Sequence, residues 1–353
     1  MFIVAMATIK EVARRARVSA GTVSNVLSGA IPVSERLKQR VLEAVRELDY
    51  HPNHVARSLK LRQTKMLGLV VSDITNPFFP QMVRGAEDAA WKHNYILITF
   101  NSDDRQDRER QLLSALRTRR VDGILLVAAA TEGDLSHIQC VMEAGIPIVA
   151  VDRALESLQV DCLTVDNIAG AQECVHHLIE RGHRRIGIIT GPPHLPVARD
   201  RLEGYQRALA AAGLPFDAAF VRDGAFRAEG GYQAALELLS EVRPTAIFTS
   251  NAVMALGVLR ALNEMDLESP RDVAVATFDD PPFAEAVRPQ LTSVAQPSYD
   301  LGYKGVEILL RRIHEPNRKR VSQVLKTELK IRASTEPRTS AMEHDWRHTS
   351  AMG

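Results

Sequence analysis

Side chains that form paired hydrogen bonds to hydroxyl groups recur just after apolar runs in the larger, C-terminal part of the chain. They are Asp73 and Asn76 with Phe79, then Asp152 and Arg153, Arg199 and Arg201, Asn251, and finally Phe278 with Asp279 and Asp280. Carboxylate, amide and guanidinium groups bind the hydroxyls of a polyol or sugar, and an aromatic ring offers an apolar face for stacking. Each residue alone would also suit a helix cap or a surface ion pair. Their joint placement predicts a site for a small polar ligand.

The elements that must position these side chains alternate between strand and helix. Apolar runs typical of buried strands occur at 66–71, 95–100, 123–127, 147–151, 185–190, 245–249 and 273–277, and helical patterns at 79–93, 105–118, 169–181, 201–212, 227–241 and 254–265. This alternation predicts βαβ units around parallel sheets. There are too many elements for one sheet, so we expect two Rossmann-like lobes. Ligands bind beyond the carboxyl ends of such strands, which is where the polar residues fall.

We place the domain boundaries from the same pattern. The first lobe is predicted at residues 66–161 with about 296–324, and the second at 162–293 with about 325–337. Residues 338–353 are polar and predict a disordered tail.

The charge of the chain is unevenly distributed. The net charge of the 353 residues is +1, but residues 1–65 contain 12 Lys and Arg against 5 Asp and Glu, so this segment carries +7 and the remainder −6. A small basic end on an acidic body is expected of a separate nucleic-acid-binding module. A solvated helical face that is merely basic would give the same count.

Residues 7–50 have the pattern of three short helices. Thr8 and Glu11 have the spacing of a capping box, and Ser19 and Ser34 are placed as N-caps of the second and third helices. The predicted core positions are Ile9, Val12, Ala13 and Ala16, then Val23, Val26 and Leu27, then Leu37, Val41, Leu42, Val45 and Leu48. Three short helices with a sharp turn between the first two form the helix-turn-helix plan.

The polar face of the second helix decides between a DNA-binding and a purely structural bundle. Its first residues, Ala20, Gly21 and Thr22, are small enough to sit deep in a major groove with the helix dipole directed at phosphate. Thr22 and Ser24 would bond phosphates, and Asn25 would read a base edge, preferentially N6 and N7 of adenine. We therefore predict a DNA-binding headpiece at residues 7–50.

The segment after the headpiece, 51–65, predicts a hinge. Pro52 breaks the chain, Asn53 caps a short helix, and a helix this short is marginal in water, so it suits ordering on DNA. The sequence here resembles the lactose-repressor (LacI/GalR) family of transcriptional regulators. The matching segments are Ala7-Thr-Ile-Lys-Glu-Val-Ala13, Val18-Ser19, Thr22-Val-Ser24, Val26-Leu-Ser-Gly29, Val33-Ser34 and Pro52-Asn-His-Val-Ala-Arg-Ser-Leu59.

The resemblance implies how the hinge acts on DNA. The hinge helices of two subunits would pair in the minor groove, with Leu59 as the wedge that opens the central base step and Arg57 near the backbone. A core leucine is the alternative role for Leu59. The residues assigned to DNA contact are Thr8, Ser19, Ala20, Gly21, Thr22, Ser24, Asn25, Asn53, His54, Ala56, Arg57 and Leu59. Family members commonly carry Arg at the position of Asn25 and a bulkier pair at Ala20-Gly21, so the operator half-site is expected to differ.

The resemblance extends to about Ala333 and implies the fold of the periplasmic sugar-binding proteins. It implies that Asp152, Arg199, Asn251 and Asp279 match positions that contact the effector in family members. Ala252 departs from an acidic residue often found there, and Thr277 replaces a usual glycine, so the identity of the ligand is open. The full predicted effector set is Asp73, Asn76, Phe79, Asp152, Arg153, Arg199, Asn251, Phe278 and Asp279.

Other functional classes have less support. No dinucleotide, P-loop, zinc-protease or hydrolase motif occurs, so we expect no enzyme, no catalytic residue and no cofactor. Cys174, His176 and His177 lie within a helical pattern with the histidines on different faces, so no metal is expected. No apolar run is long enough to span a membrane, and three cysteines without a framework suggest reduced thiols in the cytoplasm.

The sequence therefore predicts a ligand-responsive, sequence-specific transcriptional regulator. We expect it to act as a repressor of genes for carbohydrate or related metabolism. Its partners would be a pseudo-palindromic operator in double-stranded DNA, a second copy of the chain and a small polar effector, a sugar or sugar derivative. It would act in the cytoplasm, associated with the nucleoid. The alternatives are a regulator controlled by a protein corepressor and a solute-binding protein for transport; the basic headpiece and the missing signal peptide argue against the latter.

Overall fold

A computed structural model describes residues 7–28, 31–50 and 63–336 of the chain. The chain divides into two compact units between Thr64 and Lys65. Each unit has its own hydrophobic core. The predicted hinge residues Asn53, His54, Ala56, Arg57 and Leu59, and the predicted tail at 338–353, lie outside the described residues.

The first unit contains the three predicted helices, α1 (Ile9–Ala16), α2 (Ala20–Ser28) and α3 (Glu35–Glu47). The capping box is formed, since the Thr8 amide donates to the Glu11 carboxylate at 2.6 Å and the Glu11 amide donates to the Thr8 hydroxyl at 3.4 Å. Ser19 caps α2 through a 3.1 Å bond from the Thr22 amide. The helix-turn-helix plan is confirmed.

Two details of the third helix differ from the sequence prediction. Leu42 is exposed, and Ala44 is buried in its place against Val12, Val23 and Val41. At about 100° per residue, position 44 lies on the face of position 41, whereas position 42 turns away from it. Ser34 stands at the N-cap position, but its side chain makes no capping hydrogen bond.

The second unit is built on two six-stranded sheets. The strands are β1 (Met66–Val71), β2 (Ile96–Asn101), β3 (Gly123–Leu126), β4 (Ile148–Val151), β5 (Asp161–Val165), β6 (Ile186–Thr190), β7 (Val221–Asp223), β8 (Ala246–Thr249), β9 (Ala274–Phe278), β10 (Thr292–Ala295), β11 (Ser322–Leu325) and β12 (Glu328–Lys330). The first sheet has the order β11-β5-β4-β3-β1-β2, and the second β12-β10-β9-β8-β6-β7. All pairings are parallel except that of β12 with β10.

Helices cover both faces of each sheet. They are α4 (Phe78–Lys92), α5 (Gln106–Thr118), α6 (Ser136–Glu143), α7 (Asn167–Glu180), α8 (Pro196–Ala211), α9 (Ala228–Glu241), α10 (Ala252–Glu264) and α11 (Ser298–His314), with single 3-10 turns at Ala218–Phe220 and Ala333–Thr335. Each sheet buries two apolar clusters, one on either face. This is the predicted fold class of two Rossmann-like lobes.

The boundary between the lobes lies later than the sequence pattern indicated. β5 belongs to the first sheet, so the predicted division between residues 161 and 162 is four residues too early. Asp161 pairs with Val149 in β4 and accepts two 2.9 Å bonds from the Arg312 guanidinium, which holds β5 in the first lobe. β11 also reaches Leu325, one residue beyond the predicted return segment. No helix among the described residues is long and apolar enough to cross a membrane.

Candidate ligand cleft and DNA-contact helix

A cleft opens at the carboxyl ends of the strands of both lobes. Seven of the nine predicted effector residues line it: Asp73, Asn76, Phe79, Asp152, Arg153, Asn251 and Asp279. The other lining residues are Ser72, Phe78, Asp104, Val197, Arg201, Phe226, Arg227 and Gln296. Parallel strands bring their carboxyl ends to one edge, which is why residues distant in sequence meet here.

Two predicted effector residues, Arg199 and Phe278, do not line the cleft. Arg199 points to the exterior, where its half-exposed side chain pairs with Glu132 at 2.7 Å. Arg201 enters the cleft instead, because two residues of helix α8 rotate the side chain by about 200°. Phe278 is fully buried under Arg201, with the guanidinium 3.8 Å from the ring centroid, so it supports the site from below.

Arg201 is fixed by neutral partners. Its Nε donates to the Asn167 side-chain oxygen at 2.9 Å, and its Nη1 donates to the Ser250 carbonyl oxygen. The guanidinium is thereby held rigid at the base of the cleft, between the carboxylates of the two lobes. A planar group fixed in this way suits paired hydrogen bonds to a ligand.

Asp152 and Asp279 are the equivalent strand-end residues of the two lobes. Both are buried, and both have left-handed backbone conformations with φ of 68° and 70°. Non-glycine residues rarely adopt this conformation, which concentrates at functional sites where the surrounding fold imposes it. The turn after each strand therefore directs one carboxylate into the cleft.

Burial controls the protonation of both carboxylates. Burial raises the pKa of Asp152 to about 6, against the attraction of Arg153 and Arg201. Burial also raises the pKa of Asp279, although Arg201 and a hydrogen bond from Gln296 work in the opposite direction. A ligand that donates hydroxyl protons to these oxygens would offset the cost of burying the charge.

Two buried polar atoms of the cleft have no hydrogen-bond partner among the described residues. They are Nε of Arg153, which lies 3.8 Å from Oδ2 of Asp152, and Oε1 of Gln296. Nη1 of Arg153 donates to Asp104 at 2.6 Å, and the Gln296 amide donates to Asp279. One unpaired donor and one unpaired acceptor, each beside a buried carboxylate, are groups that ligand hydroxyls can satisfy.

Aromatic rings enclose the cleft from both lobes. Phe78 and Phe79 pack edge to face, 4.9 Å between centroids, at the start of α4. Phe226 comes from the other lobe, where it and Ala225 have positive φ values of 56° and 52°. A Cβ on Gly191 would overlap three carbons of the Phe226 ring, so glycine is required there for this ring position.

Two further residues connect the lobes or the loops around the cleft. Arg227 forms an ion pair with Asp73 of the first lobe. Asn251 caps α10 by accepting the Met254 amide at 2.9 Å and donates to the Phe226 carbonyl at 3.2 Å. Asn251 thus lines the cleft and also holds the loop that carries Phe226.

The DNA-contact residues predicted in the headpiece lie on α2 or next to it. Thr22 shares a 2.9 Å hydrogen bond with Ser19, and Gly21 is exposed beside them. Ser24 and Asn25 are half-buried, as is Ala20. The Thr8 hydroxyl is occupied by the capping box. The contacts of these residues with DNA stay a prediction.

A helix-turn-helix unit joined to a two-lobed sensor core with a polar cleft defines the class of ligand-responsive, DNA-binding transcriptional regulators. Two family models match the chain: bacterial regulatory proteins of the lacI family over residues 8–53, and the periplasmic binding protein-like domain over residues 175–335. The ribose operon repressor of Escherichia coli (strain K12) is 38% identical over 312 residues, which cover 88% of this chain and 94% of that protein. The chain therefore belongs to the LacI family of bacterial transcriptional regulators.

Solved structures agree with this assignment. The lac repressor dimer bound to operator and the anti-inducer ONPF superposes with a TM-score of 0.83 at 27% identity, covering 94% of this chain and 99% of that chain. A LacI family transcriptional regulator from Enterococcus faecium with bound ribose gives a TM-score of 0.71 at 29% identity, covering 78% of this chain and 100% of that chain. The family resemblance seen in the headpiece residues is confirmed.

Proposed function

We propose that this chain is a repressor whose DNA affinity is set by an unphosphorylated aldose of about the size of ribose. The observation that carries the proposal is the pair of unpartnered polar atoms, Nε of Arg153 and Oε1 of Gln296, beside the buried carboxylates Asp152 and Asp279. Adjacent hydroxyls of one sugar ring would satisfy both atoms and both carboxylates. The phenylalanine rings would cover the apolar faces of the sugar.

The charges of the cleft favour a neutral ligand. Four carboxylates line it, from Asp73, Asp104, Asp152 and Asp279, against three guanidinium groups, from Arg153, Arg201 and Arg227. Asp104 and Asp73 already neutralise Arg153 and Arg227. A phosphorylated sugar would bring a dianion to a cleft with no spare positive charge, so it should bind poorly.

The similarity to a ribose operon repressor and to a ribose-bound regulator favours ribose among the aldoses. In this proposal the chain acts as a homodimer on a pseudo-palindromic operator, at the nucleoid in the cytoplasm, and carries out no catalysis. Closure of the lobes around the sugar would change operator affinity. The sugar can change operator affinity only as far as it binds the closed and open states with different affinities. Such coupling is typically about 1–3 kcal/mol.

A thermal-shift panel on the full-length chain tests the ligand class. D-Ribose at about 100 times its dissociation constant should stabilise the core by about 2.7 kcal/mol, a readily visible shift. Ribose 5-phosphate, cellobiose, adenosine and hypoxanthine should give smaller shifts. A largest shift from a phosphosugar or a purine would refute the neutral-aldose proposal, and silence across the panel would favour a protein corepressor.

The variant Asp279→Ala links the cleft to the response. Removing this carboxylate takes the hydrogen-bond acceptor from Gln296 and one of the two cleft carboxylates that face Arg201, so the sugar response should be lost while DNA binding persists. The readouts are the ribose-dependent thermal shift and the anisotropy of a labelled duplex. A variant that still responds at the ribose concentrations effective for the wild type would exclude Asp279 from the site.

A further inference from the structure

The edge of the first sheet opposite the cleft is strongly basic. Because the strands of this sheet are all parallel, the segments that lead from a helix into a strand share the edge formed by the strands' amino ends. These segments are 92–95, 117–122, 143–147 and 314–321, and the chain enters the core at the same edge through Lys65. Together they hold eight Lys and Arg and three Asp and Glu.

The contacts of the described residues place these segments side by side. The Lys65 amide donates to the Asp122 carboxylate at 3.0 Å, and the Asp122 amide donates to the Met66 carbonyl at 2.8 Å. On the other side, Arg320 donates to the Leu158 carbonyl at 3.4 Å, and the Cys162 amide donates to the Val321 carbonyl at 2.9 Å. The basic residues thus lie in two groups at the same edge of the sheet, around the starts of β1 and β3 and before β11; together we call them the basic edge.

The positive charges of the basic edge are largely uncompensated. Arg117, Arg119 and Lys319 are exposed, and within the described residues they and Arg318 form no ion pair. Most other arginines of the first lobe are paired, for example Arg108 with Asp103 and Arg110 with Asp134. A solvated surface needs no such concentration of a single sign of charge.

The corresponding edge of the second sheet provides an internal comparison. Its helix-to-strand segments, 181–185, 216–220, 241–245 and 265–273, hold five Arg and five Asp and Glu, so their charges cancel. Both edges are made by segments that lead from helices into parallel strands. The positive charge therefore does not follow from the fold, and it is restricted to the lobe through which the chain joins the DNA-binding unit.

We propose that the basic edge, formed by Lys65, Arg117, Arg119, Arg318 and Lys319, binds the phosphate backbone of DNA without regard to sequence. The inference rests on the DNA binding of the headpiece. The core unit begins at Lys65, which belongs to this edge, so the DNA-binding unit joins the core here. Lysine and arginine contacts to phosphate release condensed counterions, which makes binding depend steeply on salt.

The salt dependence of DNA binding by the full-length chain tests the proposal. Affinity for a fluorescein-labelled random-sequence duplex is measured by anisotropy between about 50 and 200 mM KCl. In the triple variant Arg117→Gln, Arg119→Gln, Lys319→Gln, each lost contact removes about 0.9 from the slope of log K against log salt, so the slope should become shallower by about 0.9–2.7. Thermal stability should match that of the wild type.

A matched control removes the same charge from the other lobe. Arg181→Gln, Arg184→Gln, Arg185→Gln changes three arginines at the amino edge of the second sheet and should leave the slope unchanged. The double variant Arg117→Lys, Arg119→Lys conserves the charge and should also keep the wild-type slope. This result would show that the charge of these residues, and not their local structure, sets the slope.

The outcomes are distinguishable. An unchanged slope in the triple variant, or an equal loss in the second-lobe control, overturns the basic edge and leaves the proposed function intact. A wild-type chain that fails to bind the duplex at low salt overturns the basic edge and the DNA-binding repressor together.

Discussion

Replacing Asp152 by asparagine should make the core more stable and the sensor less sensitive. The folded protein holds the proton of this carboxyl more tightly than the unfolded chain, because burial raises its pKa from 3.8 to about 6. Ionising the group at neutral pH therefore costs folding free energy. A tenfold change in proton affinity corresponds to about 1.4 kcal/mol, so a pKa of about 6 in place of 3.8 corresponds to about 3 kcal/mol.

The sign of the pH dependence follows from the direction of the shift. Between about pH 4 and pH 6 the folded state binds more protons than the unfolded state, so the free energy of unfolding falls as the pH rises, and it levels off above about pH 6. The amide that replaces the carboxyl in the variant is neutral at every pH. The stability difference between Asp152→Asn and the wild type should thus grow from near zero at about pH 4 to at most about 3 kcal/mol at about pH 7.5.

Urea denaturation of the ligand-free protein at several pH values measures this difference. Ribose affinity should fall by about tenfold or more, since a charge-assisted hydrogen bond contributes about 1.5–3 kcal/mol. Asp280→Asn is a matched contrast. Partial burial opposes ionisation of Asp280, but hydrogen bonds from Arg332, Lys330 and Ser293 outweigh it and lower the pKa of this carboxyl. The Asp280→Asn variant should therefore be less stable than the wild type at neutral pH. An Asp152→Asn variant that is less stable than the wild type at neutral pH would refute this reasoning.

Three further sets of variants test separate parts of the account. Arg201→Met should abolish the ribose-dependent thermal shift while Arg199→Met leaves it intact, because only Arg201 enters the cleft; equal losses would show that the exposed arginine also contacts the ligand. Gly191→Ala should weaken ribose binding about as much as Phe226→Ala, because the new Cβ displaces the Phe226 ring. The double variant should lose little more, and additive losses of ribose affinity in calorimetry would contradict this. Leu59→Ala should weaken operator binding in anisotropy without changing core stability, and unchanged affinity would count against the wedge role.

Much of the fold follows from local sequence patterns. Long buried strands such as β1 and β6 have continuous apolar runs with polar residues at both ends, and their predicted bounds agree with the structure to within one residue. β5, with the sequence DCLTV, begins with a charged residue, and the sequence pattern places the division between the lobes there. Its place in the first sheet rests on pairing with β4 and with β11, and on the Asp161–Arg312 ion pair, which joins residues 151 positions apart.

The residues of the cleft likewise include some that the sequence identifies and some that it does not. Asp152 directly follows a predicted strand and Asp279 lies two residues after another, so strand position identifies them. Phe226 follows the three-residue strand β7, which is too short to give a sequence signal, and Gln296 lies on the crossover between the lobes. Arg199 and Arg201 both follow the same strand, and only the rotation of α8 separates the exposed arginine from the one in the cleft.

The most direct test of the central claim is the effect of ribose on DNA binding by the full-length chain. A duplex enriched from a random library by the protein itself would be labelled, and its anisotropy titrated at fixed salt with and without D-ribose. We expect operator affinity to change by about 5- to 150-fold, the range of ordinary allosteric coupling, and ribose affinity to change by the same factor when DNA is present. Tight operator binding that no aldose alters would contradict the account of the cleft as the switch.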